Sequence, residues 1–160
     1  MNWYIIPITA LIPLFTGFIW YNEKVFGKVW MNASGFDPSK ADGSKMAKIF
    51  ALTYFFGLLI SLQTMSLVIH QFHIHSIFSD IAGADQPGSD KMVFLEKYGD
   101  LYRSFKHGAF HGVLSSIFFV LPIIGIIALF ERKSAMYILV HAGYWTLTMA
   151  LMGGVICGYM

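Results

Sequence analysis

Four long uncharged apolar stretches alternate with three short segments that hold every Asp, Glu, Lys and Arg in the chain. The charges fall only within 23–48, 80–106 and 131–133. Uninterrupted apolar runs of this length are the mark of helices that cross a bilayer. The pattern predicts helices over about 3–21, 47–72, 107–130 and 135–159. The ends of the first run carry amphipathic rings in pairs, Trp3-Tyr4 and Trp20-Tyr21. At about 1.5 Å rise per residue, the two tryptophans lie about 25 Å apart, close to the hydrocarbon thickness of a membrane. Trp3, Tyr4, Trp20, Tyr21 and Trp30 are therefore expected at the membrane interface. The expected fold is all-α, a four-helix transmembrane bundle formed by one integral membrane domain spanning 1–160.

Irregularities within the runs refine this picture. Pro7 and Pro13 lack an N–H and free the carbonyls of Trp3 and Thr9, which in lipid need partners from neighbouring helices or water. Pro122 and Gly125 predict a bend in the third helix. In the second helix Thr53, Gly57, Ser61 and Thr64 share one face. In the fourth, Thr146, Ala150, Gly154 and Gly158 recur every four residues, a stripe of small side chains expected to pack against another helix. The first loop places Val25, Phe26, Val29 and Trp30 on one face with Lys24, Lys28 and Asn32 opposite, as in a short helix lying in the interface.

Composition agrees with a membrane setting, with 56% hydrophobic and only 12% charged residues. A net charge of +2 argues for no nucleic-acid partner, and single Cys157 excludes an internal disulfide. The expected partners are the lipid bilayer and either a second copy of the chain or another membrane protein. The first segment lacks the basic start and small-residue cleavage site of a signal peptide, so it is expected to be retained. Loops one and three carry seven Lys and Arg and loop two carries four. This bias places loops one and three inside and both termini outside.

Six histidines stand out in so apolar a chain, because polar residues at membrane depth tend to be functional. His70 and His73 are three apart at the end of the second helix, and His107 and His111 are four apart at the start of the third. The second loop joins these helices, so all four imidazoles belong to one membrane surface. Neutral imidazoles facing one another suit a transition metal or the axial positions of a haem. Glu96, Asp100, Arg103, His107 and His111 recur at four, three, four and four. An amphipathic helix leading into the third crossing would set the carboxylates and the guanidinium behind the histidines, to orient them or relay protons. Gly99 is the point at which that register can break. Histidine is also comfortable as an amphipathic residue at the water boundary, and that plainer reading applies to His70, His73, His75 and His107. His141 lies beyond Lys133, at the opposite surface.

The run Trp20-Tyr21-Asn22-Glu23-Lys24-Val25-Phe26-Gly27-Lys28-Val29-Trp30-Met31 resembles the bacterial domain-of-unknown-function family numbered 1761, with its Trp-Tyr, Phe-Gly-Lys and Trp-Met pattern. Phe105-Lys106-His107-Gly108-Ala109-Phe110-His111-Gly112, Phe130-Glu131-Arg132-Lys133-Ser134, Gly143-Tyr144-Trp145 and Leu151-Met152-Gly153-Gly154 are similar to members from Bacteroidetes. Asn22-Glu23 departs from the Ser-Pro of many members. The resemblance implies a small four-helix protein of the bacterial inner membrane, and no activity.

Three classes of function follow. The first is a binding or structural bundle that docks a partner. The second is a metal- or haem-binding membrane oxidoreductase, and the third a small transporter or channel subunit. No nucleophile elbow is present and Cys157 has no base near it in sequence, so no catalytic residue is assigned.

Overall fold

A computed structural model describes residues 1–160, and its regular structure is all helix, with no strand. Nine α-helices follow one another: α1 (Ile5–Thr9), α2 (Ile12–Trp20), α3 (Gly27–Ser34), α4 (Met46–Val68), α5 (Gln71–Ile77), α6 (Asp90–Tyr98), α7 (Phe105–Ser115), α8 (Leu121–Phe130) and α9 (Ala135–Tyr159). Three helical stretches are long and apolar enough to cross a membrane, Gly43–Val68, Phe105–Phe130 and Ala135–Tyr159, and Ile5–Trp20 is a shorter apolar one.

The first run is two helices, not the continuous one expected over 3–21. The break at Ala10-Leu11 lies just before Pro13, which stands in the first turn of α2. A proline here cannot donate to the carbonyl four residues back and its ring crowds that carbonyl. The backbone of Ala10 runs against Gly57 of α4, where any Cβ would collide with the Ala10 carbonyl. The third run stays helical from 105 to 130, but Ser116–Val120 widens to a π turn immediately before Pro122. Widening of this kind lets the chain absorb the missing proline donor.

The second run also differs from the expected 47–72. It stops at Val68; Ile69 is extended and fully buried, and a new helix starts at Gln71. No proline or glycine marks this break. Carbonyls that the break leaves free find other donors. The Cys157 thiol donates to the Val68 carbonyl at 3.3 Å, and the His73 Nε2–H donates to the Ser66 carbonyl at 2.8 Å. The fourth run forms one helix, Ala135–Tyr159, started by Ser134, whose hydroxyl accepts from the Tyr137 amide at 3.2 Å.

Helix α9 is the hub, touching α1, α2, α3, α4, α7 and α8. Its tightest neighbour is α7. A Cβ on Gly108 would strike the Gly153 carbonyl, one on Gly112 the Met149 carbonyl, and one on Gly153 the Gly108 carbonyl. The two backbones therefore touch without intervening side chains. The Thr146, Ala150, Gly154 and Gly158 stripe lies along the same interface. Ser116 and Thr146 hydroxyls bond at 3.0 Å, the Phe105 ring would lie 2.6 Å from a Cβ on Gly154, and Gly158 abuts the Phe105 backbone. On the other side of α9, Thr16 and Thr148 share a buried hydrogen bond of 2.8 Å, and the Tyr144 hydroxyl donates to the Pro13 carbonyl at 2.8 Å.

Both chain ends meet at one end of the molecule, where the Asn2 amide donates to the Met160 carbonyl at 2.8 Å. A buried apolar cluster of Ile5, Ile6, Met65, Val68, Ile69, Ile156, Cys157 and Met160 holds this end together. At the opposite end loops one and three adjoin, with Lys133 Nζ donating to the Ser34 carbonyl at 3.2 Å. Trp20 and Tyr21 turn inward here rather than only marking an interface. The Trp20 indole donates to the Val140 carbonyl at 3.1 Å, and the Tyr21 hydroxyl meets His141 Nδ1 at 2.8 Å. Trp30 packs edge-on against Tyr21, whereas Trp3 and Tyr4 are exposed. In the first loop, Asp37 and Asp42 each accept from the backbone and hydroxyl of the serine two residues on. Those bonds hold both carboxyls below the usual carboxylate range.

The α7–α9 seam yields a direct expectation. Gly112→Leu would drive a side chain into a backbone carbonyl and cost about 3 kcal/mol by overpacking. Gly125 has open space where a Cβ would stand, so Gly125→Ala should gain about 0.5–1 kcal/mol from helix propensity. Thermal unfolding in detergent should separate the two, and equal stability would refute the seam.

Candidate functional site

Three imidazoles converge at the end where the termini meet. His70 begins the short helix α5, and His107 and His111 stand one turn apart on α7. His70 Nε2 and His107 Nε2 lie 3.0 Å apart, a hydrogen bond that requires one nitrogen to carry a proton and the other to lack it. Ring centroids are separated by 5.1 Å for His70 and His107, 4.9 Å for His70 and His111, and 4.5 Å for His107 and His111. One nitrogen from each of the three falls within 4.8 Å of the others. His70 is exposed and the other two are half-buried.

Each position has a local cause. Ser104 accepts from the His107 amide at 3.3 Å and so fixes where α7 starts. The adjacent Gly108 and Gly112 lie against α9, which turns the His107 and His111 face toward the α4–α5 break. The break at Ile69 releases His70 from the α4 register and lets its ring reach α7. It also separates His70 from His73. His73 does not join the other three histidines, because its ring is engaged with the Ser66 carbonyl.

The residues expected to back the histidines stand elsewhere. Helix α6 ends at Tyr98 and α7 begins at Phe105, so the register breaks after Gly99 and the face running from Glu96 to His111 does not exist as one stripe. Glu96 and Asp100 are exposed. Arg103 instead donates from Nε to the Cys157 carbonyl at 3.2 Å, closing the last turn of α9 with a cation.

Two residues outside the sequence argument shape the site. Tyr102 stacks on His107 with centroids 5.1 Å apart and planes 18° from parallel. It does so with a left-handed backbone, φ +63°, which is uncommon for a bulky residue. Gln71 is buried and its side-chain amide donates to the Tyr98 carbonyl at 3.0 Å and the Leu101 carbonyl at 2.8 Å. That pair of bonds fastens the turn after α6 to the start of α5. A second brace lies further out in the loop. Lys91 Nζ, 7% exposed, donates to Asp85 at 2.6 Å, and its hydrogen bond and charge hold the Asp85 carboxyl below the usual carboxylate range. Nothing in sequence spacing marks Tyr102. The four-residue interval between Gly108 and Gly112 was visible and is the same signal as the stripe in α9.

Between these elements lies a cavity of about 360 Å³ walled by His70, Gln71, Ile74, Phe94, Tyr98, Leu101 and Tyr102. It shares His70 with the imidazole cluster, and Tyr102 separates it from His107.

The model of the family described as Protein of unknown function (DUF1761) matches residues 5–157, nearly the whole chain, and the chain belongs to that family. No curated protein and no solved structure matches it. The family has no established activity, so what the site can do rests on its own chemistry.

Gln71→Leu should leave two backbone carbonyls without a donor at a cost of about 1–3 kcal/mol. Hydrogen exchange should then accelerate across residues 98–104. Unaltered exchange there would mean the amide contributes nothing to holding the turn.

Proposed function

We propose that this chain is a four-crossing protein of the bacterial inner membrane that holds one transition-metal ion through His70, His107 and His111. The convergence of the three ring nitrogens within 4.8 Å carries the reading. Metal–imidazole bonds of about 2.0–2.1 Å at a tetrahedral ion place ligand nitrogens about 3.3 Å apart. The spacing here, from a 3.0 Å contact to 4.8 Å, brackets that value, so small ring rotations suffice. Binding would replace the proton shared by His70 and His107. Three imidazoles without thiolate or carboxylate suit zinc, copper, iron or nickel better than magnesium or calcium. With three protein ligands, a fourth position stays open, as in metal sites that act on a molecule rather than merely brace a fold.

The same distances disfavour haem. Two axial imidazoles on one iron stand on opposite sides of a porphyrin, whereas each pair of rings here is in van der Waals contact. The alternative of a purely structural bundle that dimerises through its glycine stripe has less support, because Gly154 and Gly158 are already filled by Phe105 of the same chain.

In this reading Ile5–Trp20 is the fourth crossing, with its two short helices tilted or kinked to span the bilayer. Loops one and three lie inside, and the termini and the histidines lie outside. Lys133 bonded to Ser34 and Asn2 bonded to Met160 support that pairing of ends, and the basic-residue bias supports its direction.

Protein purified in detergent and equilibrated with Zn²⁺ or Co²⁺ should retain about one ion per chain after gel filtration. His107→Ala and His111→Ala should each lower affinity at least about ten-fold, the loss of one ligand. His73→Ala and His141→Ala should leave stoichiometry unchanged. Retention of the ion by the His107→Ala, His111→Ala double variant would overturn the site. Topology has its own test: a cysteine introduced by Gly88→Cys should label from outside and one introduced by Asp42→Cys should not.

A further inference from the structure

The cavity beside the histidines has the wrong lining for a charged molecule and the right one for a flat apolar molecule. None of its seven wall residues is Asp, Glu, Lys or Arg, and the nearby Lys97 ammonium already sits over the Tyr98 ring, so an ionic ligand would leave water without a counter-charge in the wall. Its one amide, on Gln71, already donates to the Tyr98 and Leu101 carbonyls. Aromatic faces make up much of the remainder. Phe94 and Tyr98 pair at 5.0 Å, and Tyr102 closes the side toward His107. Ile74 and Leu101 complete an apolar wall. A volume of about 360 Å³ falls in the range of small-molecule sites and admits one or two fused rings.

Besides the Tyr98 and Tyr102 hydroxyls and the engaged Gln71 amide, the polar residue of the wall is His70. Its Nε2 bonds His107, so His70 is the residue that the cavity shares with the three-histidine cluster. We propose that this cavity binds a small neutral aromatic molecule bearing one hydroxyl or carbonyl oxygen, with the ring among Phe94, Tyr98 and Tyr102 and the oxygen turned to His70. The ring selectivity stands on the cavity alone. Any effect of the bound ring on a metal ion would pass through the shared His70 and rests on the metal reading above.

The position in the fold suits such a ligand. The cavity sits outside the three membrane-length helices, between α5 and the α6–α7 turn, and two backbone anchors from Gln71 keep its walls together. A neutral ring compound concentrated at a membrane surface can enter from the interface.

The full-length protein in nanodiscs supplies the test, with 1-naphthol as the probe and empty nanodiscs as the blank. Saturable binding of one 1-naphthol per chain is expected with and without Co²⁺. With Co²⁺ loaded, 1-naphthol should also change the visible absorption of the ion. Leu101→Trp and, separately, Ile74→Phe fill the cavity and should weaken 1-naphthol binding at least about ten-fold, the scale of one lost aromatic packing contact, while Co²⁺ stoichiometry stays unchanged. The anion 1-naphthalenesulfonate should bind at least about ten-fold more weakly than 1-naphthol, for want of a counter-charge. Undiminished binding in both filled variants, or equal binding of the sulfonate, overturns the proposal. If Co²⁺ never binds but 1-naphthol does and is lost in the filled variants, the metal reading fails and the ring site stands. If Co²⁺ binds and 1-naphthol does not, the ring site alone fails.

Discussion

The backbone-to-backbone contact between α7 and α9 is the constraint on which the rest depends. In an apolar environment, helices gain little from burying greasy side chains, because lipid offers the same surroundings. What remains is close van der Waals contact, and Gly108, Gly112 and Gly153 allow it by presenting no side chain where carbonyls of the other helix pass. That contact sets the rotation of α7. With Gly108 and Gly112 against α9, their neighbours His107 and His111 turn to one side and face the start of α5. The same approach puts Phe105 on Gly154 and Gly158 and brings Arg103 within reach of the Cys157 carbonyl. A side chain at either α7 glycine would therefore disturb the histidines as well as the packing.

A second constraint is the accounting for backbone groups where helices stop inside an apolar molecule. Unpaired carbonyls are costly there, and the α4–α5 break leaves several. Two of the donors, His73 and Arg103, are residues that sequence spacing suggests for other roles, and the third, Cys157, carries none. His73 serves Ser66, Cys157 serves Val68, and Arg103 serves the end of α9. Each is a polar group used to close a helix end, which explains why a lone cysteine and an arginine occur in this part of the chain. His70, at the break itself, has no such carbonyl to serve. Its partner is another imidazole.

Sequence periodicity resolved the long-range plan because it depends on composition over many residues. The expected helices over 107–130 and 135–159 form as apolar helices, and that over 47–72 forms as far as Val68. His107 and His111, one turn apart on a single uninterrupted helix, share a face as their spacing dictates. Spacing fails wherever a helix is assumed to continue. Between Val68 and Gln71 the chain turns at a fully buried isoleucine, and only tertiary packing around Met65, Ile156 and Cys157 accounts for it. That single break removes His73 from the cluster and brings His70 in. The α6–α7 gap did carry a sign, Gly99, and its consequence is that Glu96 stays on α6 and Asp100 falls in the turn after it, both exposed. Tyr102 and Gln71 were illegible because their contacts join segments about thirty residues apart or require a left-handed residue that no motif announces.

These placements bear on why a third histidine matters more than a fourth. Two imidazoles on one helix turn make a weak and common pair, comfortable at any membrane boundary. A third from a different element, held in hydrogen-bond contact with one of them, has a different status. Its ordering costs conformational entropy, and a proton shared between an exposed and a half-buried imidazole returns little of that cost. The surrounding structure supplies the difference. Ile69 is anchored in the core directly before His70, Gln71 is pinned by two backbone carbonyls directly after it, and Tyr102 covers the flank of His107. The elements that hold the histidines in place are thus the same ones that wall the cavity, so a change that loosens the cavity also releases His70. Rigid support of this kind is what a three-ligand metal site requires of its surroundings. His70, exposed on one side, borders the aromatic wall of the cavity on the other.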